Sequence, residues 1–344
     1  MNEAPQLTPR QVAILTHVIA EYVATGHPVG SRTLVAAGAV AASPSTVRYE
    51  LAELETLGLL NHPHTSAGRV PTEAGYQLYA EHLLEQPLGA ANLPIDLSGV
   101  RNEVDSALRA TTEMLSHVTS LLAVISAPPL DTTEIRHVEV LVLQPHVVMV
   151  VIITSTGGVT KKLFPFDRPV DSKLAEWAGS YLKEQLAGVR ISERLLRQRL
   201  FDPGLSPTEL GFLEVLAPAF SDLVSASEQS LYVGGTARLL GEMRYADLAE
   251  INDLMRALEE RVSLLELLRG ALESNRPFVR IGAQNDHPHL RSLALVAANY
   301  GLPSRNLGTV TLIGPTRMDY AHAIRSVRGA AALLSEFVED VYER

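Results

Sequence analysis

Three helical segments followed by a hairpin occupy the first 76 residues, and this order constrains the fold more than any other feature of the chain. Residues 8–11 form a capping box with proline at the first helical position, and Gly26 is a natural stop for the first helix. Ser31 is expected to cap a short second helix. Ser43, followed by a proline, opens the third helix, which Gly58 closes. The pattern is that of a helix-turn-helix.

A small polar turn after the third helix predicts a hairpin. Leu59 and Leu60 begin a strand, and residues 65–68 turn the chain back into Arg69 and Val70. A helix-turn-helix followed by such a hairpin is the pattern of a winged helix, a fold that usually binds duplex DNA. Winged helices also serve as protein–protein modules, so a protein-interaction module stays open as an alternative.

The third helix has two distinct faces. Val47, Leu51 and Leu54 are spaced by four and three residues and are expected to face the core. The opposite face, which Arg48 flanks, carries Ser45, Tyr49, Ala52 and Thr56. Hydroxyls, a guanidinium and a phenol suit base edges and phosphates. Three glutamates farther along the helix would be repelled by phosphate, so only its N-terminal end is expected to enter the major groove.

The predicted DNA contacts come from all three parts of this region. The nine residues are Ser31, Arg32, Ser45, Thr46, Arg48, Tyr49, Thr65, Ser66 and Arg69. Those at the start of the second helix are expected to hold a phosphate, and those of the third helix to lie in the major groove. Those of the hairpin are expected to reach a phosphate or the minor groove. Tyr49 is equally well explained as a stacked surface residue.

Composition limits the chemistry of the chain. With 344 residues, 46% of them apolar, it has material for two or three domains with ample core. The absence of cysteine excludes disulfides, thiolate nucleophiles and cysteine-bound metal clusters. The polar, proline-containing N-terminus predicts no signal peptide, and no apolar run approaches the ~18 residues of a membrane span. We therefore expect a cytoplasmic protein with no membrane partner.

Negative charge argues against a general polyanion binder. The formal net charge is −10, and residues 1–85 contain four arginines, no lysine and eight acidic residues. DNA binding by this region would use few phosphate contacts per protomer, which favours a dimer and a modest salt dependence. His62 and His64 are interpreted as part of a polar strand and not as metal ligands, because Pro63 separates them and no further ligand is near.

Six short motifs occur in order along the chain, at residues 28–34, 43–48, 63–69, 232–236, 279–282 and 314–320. Together they resemble the HrcA family, the heat-inducible transcription repressors of bacteria. The resemblance implies a homodimer that binds double-stranded DNA at an inverted-repeat operator upstream of chaperone operons. It also implies the GroEL-type chaperonin as a partner, which keeps the repressor active until misfolded proteins compete for it. Tyr49 stands where the family often has Asn, so the operator sequence is not assumed to be the same. Gln284, in the C-terminal domain, stands where the family often has Glu.

The rest of the chain alternates helical and strand-like segments, which predicts an α+β fold. A helical segment is expected from Asp96 to Ile125, and a hairpin turn at Gly157 and Gly158. The other expected strands are 135–143, 147–154, 159–166, 230–233, 278–281, 291–297 and 308–313. The other expected helices are 172–186, 192–200, 208–227, 245–272 and a closing helix from 319.

The resemblance also implies how these segments are arranged. The expected fold is an N-terminal winged helix-turn-helix followed by a GAF-like α+β domain with an inserted dimerisation domain. The winged-helix domain is placed at 1–88, the two parts of the GAF-like domain at 95–166 and 242–344, and the insertion at 167–241.

No enzyme signature is found in the sequence. It has no Walker A loop, no Gly-x-Ser-x-Gly, no His-Glu-x-x-His and no Gly-x-Gly-x-x-Gly after a strand, so we predict no catalytic residue, cofactor or metal. GAF-like domains often hold small ligands, which leaves a metabolite-responsive regulator as a second alternative. Arg317 and Asp319 could clamp such a ligand, although such a pair is more often a structural salt bridge and turn at a helix start.

Overall fold

The computed structural model combines helices with antiparallel strands, which is the α+β class expected from the sequence. It describes residues 7–38, 40–63, 68–95, 97, 104–128, 133–155, 158–191, 193–202, 204–221, 223, 231–242, 252, 255–256, 276–303 and 305–342. Within these ranges no helix is both long and apolar enough to cross a membrane. Residues 252, 255 and 256 are helical, but the rest of the expected helix 245–272 lies outside the described residues. So do the Gly157 half of the hairpin turn and the end of the expected helix 208–227.

Four helices and a short hairpin form the N-terminal part. They are α1 (Pro9–Thr25), α2 (Ser31–Ala36), α3 (Pro44–Thr56), β1 (Leu60–Asn61), β2 (Val70–Pro71) and α4 (Glu73–Glu85). The Thr8 hydroxyl accepts a hydrogen bond from the Gln11 N–H while the Gln11 side chain accepts one from the Thr8 N–H, so the capping box is confirmed. Gly26 has a left-handed φ of 69° and ends α1 as predicted.

The second helix begins differently from the prediction. Gly30 is its N-cap residue, and Ser31 is its first helical residue, with only 9% of its surface exposed. The reason lies one residue earlier, where Val29 exchanges two backbone hydrogen bonds with Arg69 of the hairpin, at 2.8 and 2.9 Å. This bridge keeps the chain extended up to Gly30, so the helix starts after it and the Ser31 side chain turns inward.

The remaining described elements alternate along the chain. The helices are α5 (Val104–Thr119), α6 (Ser172–Leu186), α7 (Glu193–Leu200), α8 (Pro207–Leu216), α9 (Thr236–Glu242) and α10 (Tyr320–Tyr342). The strands are β3 (Leu122–Ser126), β4 (Ile135–Gln144), β5 (Val147–Thr154), β6 (Val159–Pro165), β7 (Leu231–Gly234), β8 (Phe278–Ile281), β9 (Leu293–Leu302) and β10 (Arg305–Pro315). Helix α9 was not predicted from the sequence. Apart from α9 and β3, these elements match the predicted segments to within a few residues, except that β9 and β10 extend farther.

Five strands form the larger sheet, in the order β7-β3-β10-β9-β8. Helices α5 and α10 contact each other and pack on this sheet, and their buried side chains join those of α1, α3 and α4 in one continuous core. Asp319 accepts a hydrogen bond from the His322 N–H at 2.9 Å, so it starts α10 in the structural role favoured by the sequence.

The prediction of a helix as far as Ile125 is wrong. Helix α5 ends at Thr119, and Leu122–Ser126 is the strand β3, paired with β10 on one side and β7 on the other. Ser120 has a positive φ of 57°, which breaks the helix just before the strand. All five residues of β3 are buried, and such a continuous apolar run has neither the helical nor the strand period in the sequence.

The smaller sheet, in the order β4-β5-β6, has a core of its own. Alternate residues of β5, namely Val148, Val150 and Ile152, are fully buried against α6 and α8, separately from the larger core. Backbone hydrogen bonds join the first strand of this unit to the segment after α6, since Ile191 N–H donates to Thr133 O at 2.9 Å. The described unit therefore extends from about 133 to 223, and the expected boundary at 167 cuts through it.

Candidate nucleic-acid interface

The N-terminal end of α3 presents a cluster of hydroxyl groups. The Ser43 hydroxyl accepts a hydrogen bond from the Thr46 N–H at 3.2 Å and caps the helix as predicted. The same oxygen lies 2.7 Å from the Ser45 hydroxyl and 2.9 Å from that of Thr46. Ser45 is exposed, whereas Thr46 is half-buried. The helix dipole adds partial positive charge at this end, so the turn offers several groups that can meet an anion.

Behind this turn, α3 has the two faces that its sequence predicts. Val47, Leu51 and Leu54 are buried, with exposed fractions of 4% or less. Arg48 and Tyr49 point outward, and the Tyr49 ring is 65% exposed. A tyrosine so open to solvent contributes little to the core of this chain, so its ring is available to a partner. Ser45, Arg48 and Tyr49 thus share one accessible surface.

The acidic residues of α3 are partly neutralised inside the protein. A carboxylate oxygen of Glu50 lies 3.5 Å from the guanidinium of Arg10 on α1. Glu55, in the last turn, pairs with Arg69 at 2.7 Å and also contacts the ring of His62. These contacts reduce the repulsion of phosphate expected from the sequence, but they also occupy two of the four arginines of this region.

Arg69 is the predicted contact whose surroundings differ most from the expectation. Its side chain is 21% exposed and points back to Glu55 on α3, while its backbone bridges Val29. A side chain on the neighbouring Gly68 would place its Cβ 2.4 Å from the Val29 backbone, so the strands approach closely only with glycine there. Sequence spacing gives no sign of the Glu55–Arg69 pair, because the hairpin alone brings these residues together.

The other predicted contacts divide between surface and interior. Arg32 is exposed on α2, whereas Ser31 is buried at its start. Thr65 and Ser66, together with His64, lie outside the described residues. His62 lies just after the end of β1, where its ring contacts the Glu55 carboxylate. Among the residues that the structure describes, no group of three or more metal-ligating side chains is gathered. Four of the predicted contacts are therefore exposed in the structure: Arg32 on α2, and Ser45, Arg48 and Tyr49 on α3.

Comparison with known proteins gives one consistent result over nearly the whole chain. The family model described as the HrcA protein C terminal domain matches residues 105–324. The heat-inducible transcription repressor HrcA of Thermobifida fusca is 33% identical, with 98% of this chain and 99% of that protein covered. The repressor of the same name from Frankia casuarinae is 34% identical over 96% of this chain and 99% of that protein.

A solved structure shares the fold. A crystal structure described only as a hypothetical protein superposes with a TM-score of 0.70 at 22% sequence identity. It covers 98% of this chain and 100% of its own. At this identity the likeness concerns the fold alone, but it extends over both cores and the N-terminal helices.

Proposed function

This chain belongs to the HrcA family of heat-inducible transcription repressors, and we propose that it represses by binding duplex DNA as a homodimer. The family is one of transcription repressors and not of enzymes. The proposed target is an inverted-repeat operator upstream of chaperone operons, in keeping with the family resemblance.

The observation that carries the proposal is the exposed face of α3. Three helices followed by the β1–β2 hairpin have the order of a winged helix, and α3 is the helix that such a unit places in the major groove. Ser45, Arg48 and Tyr49 are exposed together at the N-terminal half of α3, while its opposite face is buried. An arginine or a hydroxyl at this position can read a base edge or bind a phosphate.

The proposed contacts have different tasks. Arg48 and Tyr49 read bases, Ser45 and Thr46 meet the backbone at the helix end, and Arg32 binds a phosphate. Arg69 holds the hairpin against α3 through Glu55 and supports the wing without needing to touch DNA. Thr65 and Ser66 remain predicted contacts at the tip of the wing. With so few cations, a protomer would bind weakly alone, which is why the proposal requires two.

The homodimer is proposed to form through the outer face of the smaller sheet. Three of the side chains on this face are large, apolar and strongly exposed: Leu163 at 58%, Val159 at 54% and Leu143 at 52%. On the same face the strand register aligns Glu139 of β4, Val151 of β5 and Lys161 of β6 in one row. Exposed apolar patches of this kind usually mark an interaction surface.

The charges of this row suit a second copy of the same chain. A two-fold axis parallel to β5 would place β4 of one copy over β6 of the other. Glu139 would then face Lys161 of the second copy, and the reverse pair would form on the other side of Val151. We assign residues 133–223 to an inserted dimerisation domain on this basis, and the larger sheet with α5 and α10 to a GAF-like domain.

The family resemblance also implies control by the GroEL-type chaperonin. The chaperonin maintains the active dimer, and misfolded proteins that compete for it after heat shock release the chaperone genes. Stimulation of operator binding by added chaperonin is the result that this part requires.

The function is tested by selecting duplexes from a random library with the purified chain. The enriched sequence is then titrated by fluorescence anisotropy at two salt concentrations, with and without chaperonin, beside a duplex in which one half-site is scrambled. We expect an inverted repeat, tight binding only when both half-sites are intact, and weaker binding at higher salt. Equal binding to both duplexes would contradict a sequence-specific repressor. No salt-dependent binding by folded, dimeric protein would favour a protein-interaction module.

A further inference from the structure

Helix α4 connects the N-terminal unit to the rest of the chain, and its first turn is held by the larger core. The Glu73 carboxylate accepts a hydrogen bond from the Ala283 N–H at 2.6 Å. This N–H belongs to a short 3-10 helix, Gly282–Gln284, which directly follows β8. One turn along α4, the Gln77 amide donates to the Ile281 carbonyl at 3.1 Å. A charged carboxylate accepting from a backbone N–H forms a strong and directional bond.

The close fit around Gly282 makes this contact specific. A Cβ at position 282 would lie 2.0 Å from the carboxyl carbon of Glu73, so any other residue there would displace the Glu73 carboxylate from this contact. Gly282 also has a left-handed φ of 56°, which favours glycine independently. Glycine at this position therefore serves the contact with α4 as well as the turn itself.

The C-terminal end of α4 is held by a second charged residue. The Arg328 guanidinium, on α10, donates to the carbonyl oxygens of Leu88 at 2.6 Å and Leu84 at 3.5 Å. Between the two ends, the buried rings of Tyr76 and Tyr320 lie with their centroids 5.9 Å apart. Helix α4 is thus fixed to the larger core at its start, its middle and its end.

The other side of α4 is fixed to α3. The Thr72 hydroxyl, which caps α4, donates to the Gly58 carbonyl just after α3 at 2.6 Å, and the Thr72 N–H donates to Leu59 O at 3.1 Å. Gly75 lies so close that a Cβ there would come within 2.2 Å of the Leu59 carbonyl oxygen. The direction of α3 relative to the five-stranded sheet therefore depends on where the first turn of α4 is held.

We propose that Glu73 is a positioning residue for operator binding, which acts by fixing the direction of α3 and not by touching DNA. In a dimer, the larger core and the smaller core set the distance between protomers, and Glu73 sets the angle of each recognition helix on that frame. The spacing between half-sites that the repressor accepts is therefore determined partly by this contact. The inference rests on the proposed DNA-binding function, but the contact itself can be tested without DNA.

The first experiment uses electron spin resonance to measure the distance between a spin label on α1 and one on α10. The chain has no cysteine, so spin labels can be attached solely at two introduced ones, Ala20→Cys on α1 and Glu336→Cys on α10, which are both exposed. Labelled chain is mixed with excess unlabelled chain, so that a dimer carries one labelled protomer. The distance distribution is compared in the parent, Glu73→Gln, Glu73→Ala and Glu81→Gln, which removes the same charge from an exposed position of α4.

We expect the distribution to broaden in Glu73→Ala, to broaden less in Glu73→Gln, whose amide oxygen can still accept the bond, and to stay narrow in Glu81→Gln. A distribution in Glu73→Ala as narrow as that of the parent overturns the proposal. If the alanine variant does not fold, the comparison of Glu73→Gln with Glu81→Gln decides in the same way.

The second experiment measures spacing with the duplex selected by the wild-type chain. Variants of that duplex carry the half-sites moved closer or farther by one to three base pairs, and a further duplex carries one half-site. We expect Glu73→Ala to reduce the preference for the selected spacing by ~5-fold or more while the affinity for one half-site is unchanged. An unchanged spacing preference overturns the positioning role. Failure of the wild-type chain to select any sequence contradicts the proposed function instead, and the spin-label result is unaffected.

Discussion

Arg48 and Arg69 carry the same charge in the same small unit, yet their surroundings assign them different tasks. Arg48 is exposed beside Tyr49, whereas Arg69 is mostly covered and paired with Glu55 at 2.7 Å. The sequence predicts the outward position of Arg48 because helical periodicity fixes it relative to Val47 and Leu51. It does not predict the partner of Arg69, because that contact depends on how the hairpin folds back on α3.

Substitution of Arg48 should therefore affect DNA binding, whereas substitution of Arg69 should affect stability. Arg48→Ala is expected to weaken operator binding by ~1–3 kcal/mol with an unchanged melting temperature. Arg69→Ala is expected to cost about 1 kcal/mol of unfolding free energy, because it leaves Glu55 without this partner and loosens the hairpin. Anisotropy titrations and urea denaturation of both variants give the comparison. Equal losses of stability in the two variants would contradict it.

Gly282 gives a second test at the scale of one residue. Gly282→Ala is expected to lower stability by ~1–3 kcal/mol, since the new Cβ meets the Glu73 carboxylate and φ is left-handed. Part of that loss should disappear in the Glu73→Ala background, where the carboxylate is gone but the backbone strain remains. A double-mutant cycle by denaturation measures the difference. Strict additivity would show that the close approach contributes nothing.

Among the elements, α3 was predicted well and β3 was not, for a physical reason. A capping serine, a proline and an amphipathic period predict helix α3 from the sequence, and the helix begins at Pro44 as predicted. Strand β3 is apolar at four of its five positions and buried at all five, so neither face leaves a polar signature. Position within a sheet is a tertiary property, and only the pairing with β7 and β10 determines it.

The cap of α3 leads to a prediction at the scale of the helix. Ser43→Ala is expected to lower the free energy of unfolding by ~1 kcal/mol, because the Thr46 N–H loses its acceptor. Ser45→Ala removes a neighbouring exposed hydroxyl that caps no backbone group, so it should have little effect on stability and reduce binding instead. Urea denaturation of the two variants distinguishes them. If Ser43→Ala unfolded at the same urea concentration as the parent, the cap would contribute nothing to stability.

The contact between α4 and α10 predicts how stability depends on pH. Burial raises the pKa of Tyr76 and of Tyr320 above the ordinary value of a tyrosine. Their folded state therefore favours the neutral phenol, so stability is complete below pH ~10 and falls as the unfolded tyrosines ionise above it. Tyr76→Phe should lessen this alkaline loss. It should also preserve or raise stability at neutral pH, because the buried Tyr76 hydroxyl has no hydrogen-bond partner among the described residues.

Melting temperatures of the parent and Tyr76→Phe between pH 8 and pH 11, beside phenolate absorbance, measure this effect. Tyr181→Phe is the control variant, since the Tyr181 ring lies in the smaller core unit and stacks on Trp177 away from α4. An alkaline decline of the same steepness in Tyr76→Phe would contradict the role assigned to burial at this contact.

At the scale of the whole molecule, the larger core joins the N-terminal helices to the five-stranded sheet, while the smaller core stands apart. The sequence predicts the strands of the smaller sheet and, except for β3, those of the larger one. It does not show which helices pack on the smaller sheet, because a β-meander pattern does not say which helices will cover it. Residues 135–165 and α6 are consecutive in the chain, and their packing together keeps most contacts local.

The proposed dimer face makes a prediction at this scale. Lys161→Glu should weaken self-association by about tenfold or more, since each 1.4 kcal/mol of like-charge repulsion is a factor of ten. Adding Glu139→Lys should restore it, because the row is then reversed in both copies. Lys183→Glu, on the exposed side of α6, is the control of equal charge. Sedimentation equilibrium measures the dissociation constants, and no rescue by the double variant would rule out the facing pair.

The separation of the two cores has a consequence for how such a repressor responds to heat. If the smaller core loosens first, the proposed dimer face is lost while α3 keeps its shape in the larger core. Each half-site is then bound by an independent protomer, and the high effective concentration that dimerisation gave the second protomer is lost. Operator occupancy would then rise with the square of the protomer concentration, so a cell could empty the operator by a modest dilution of the repressor without unfolding the part that reads DNA.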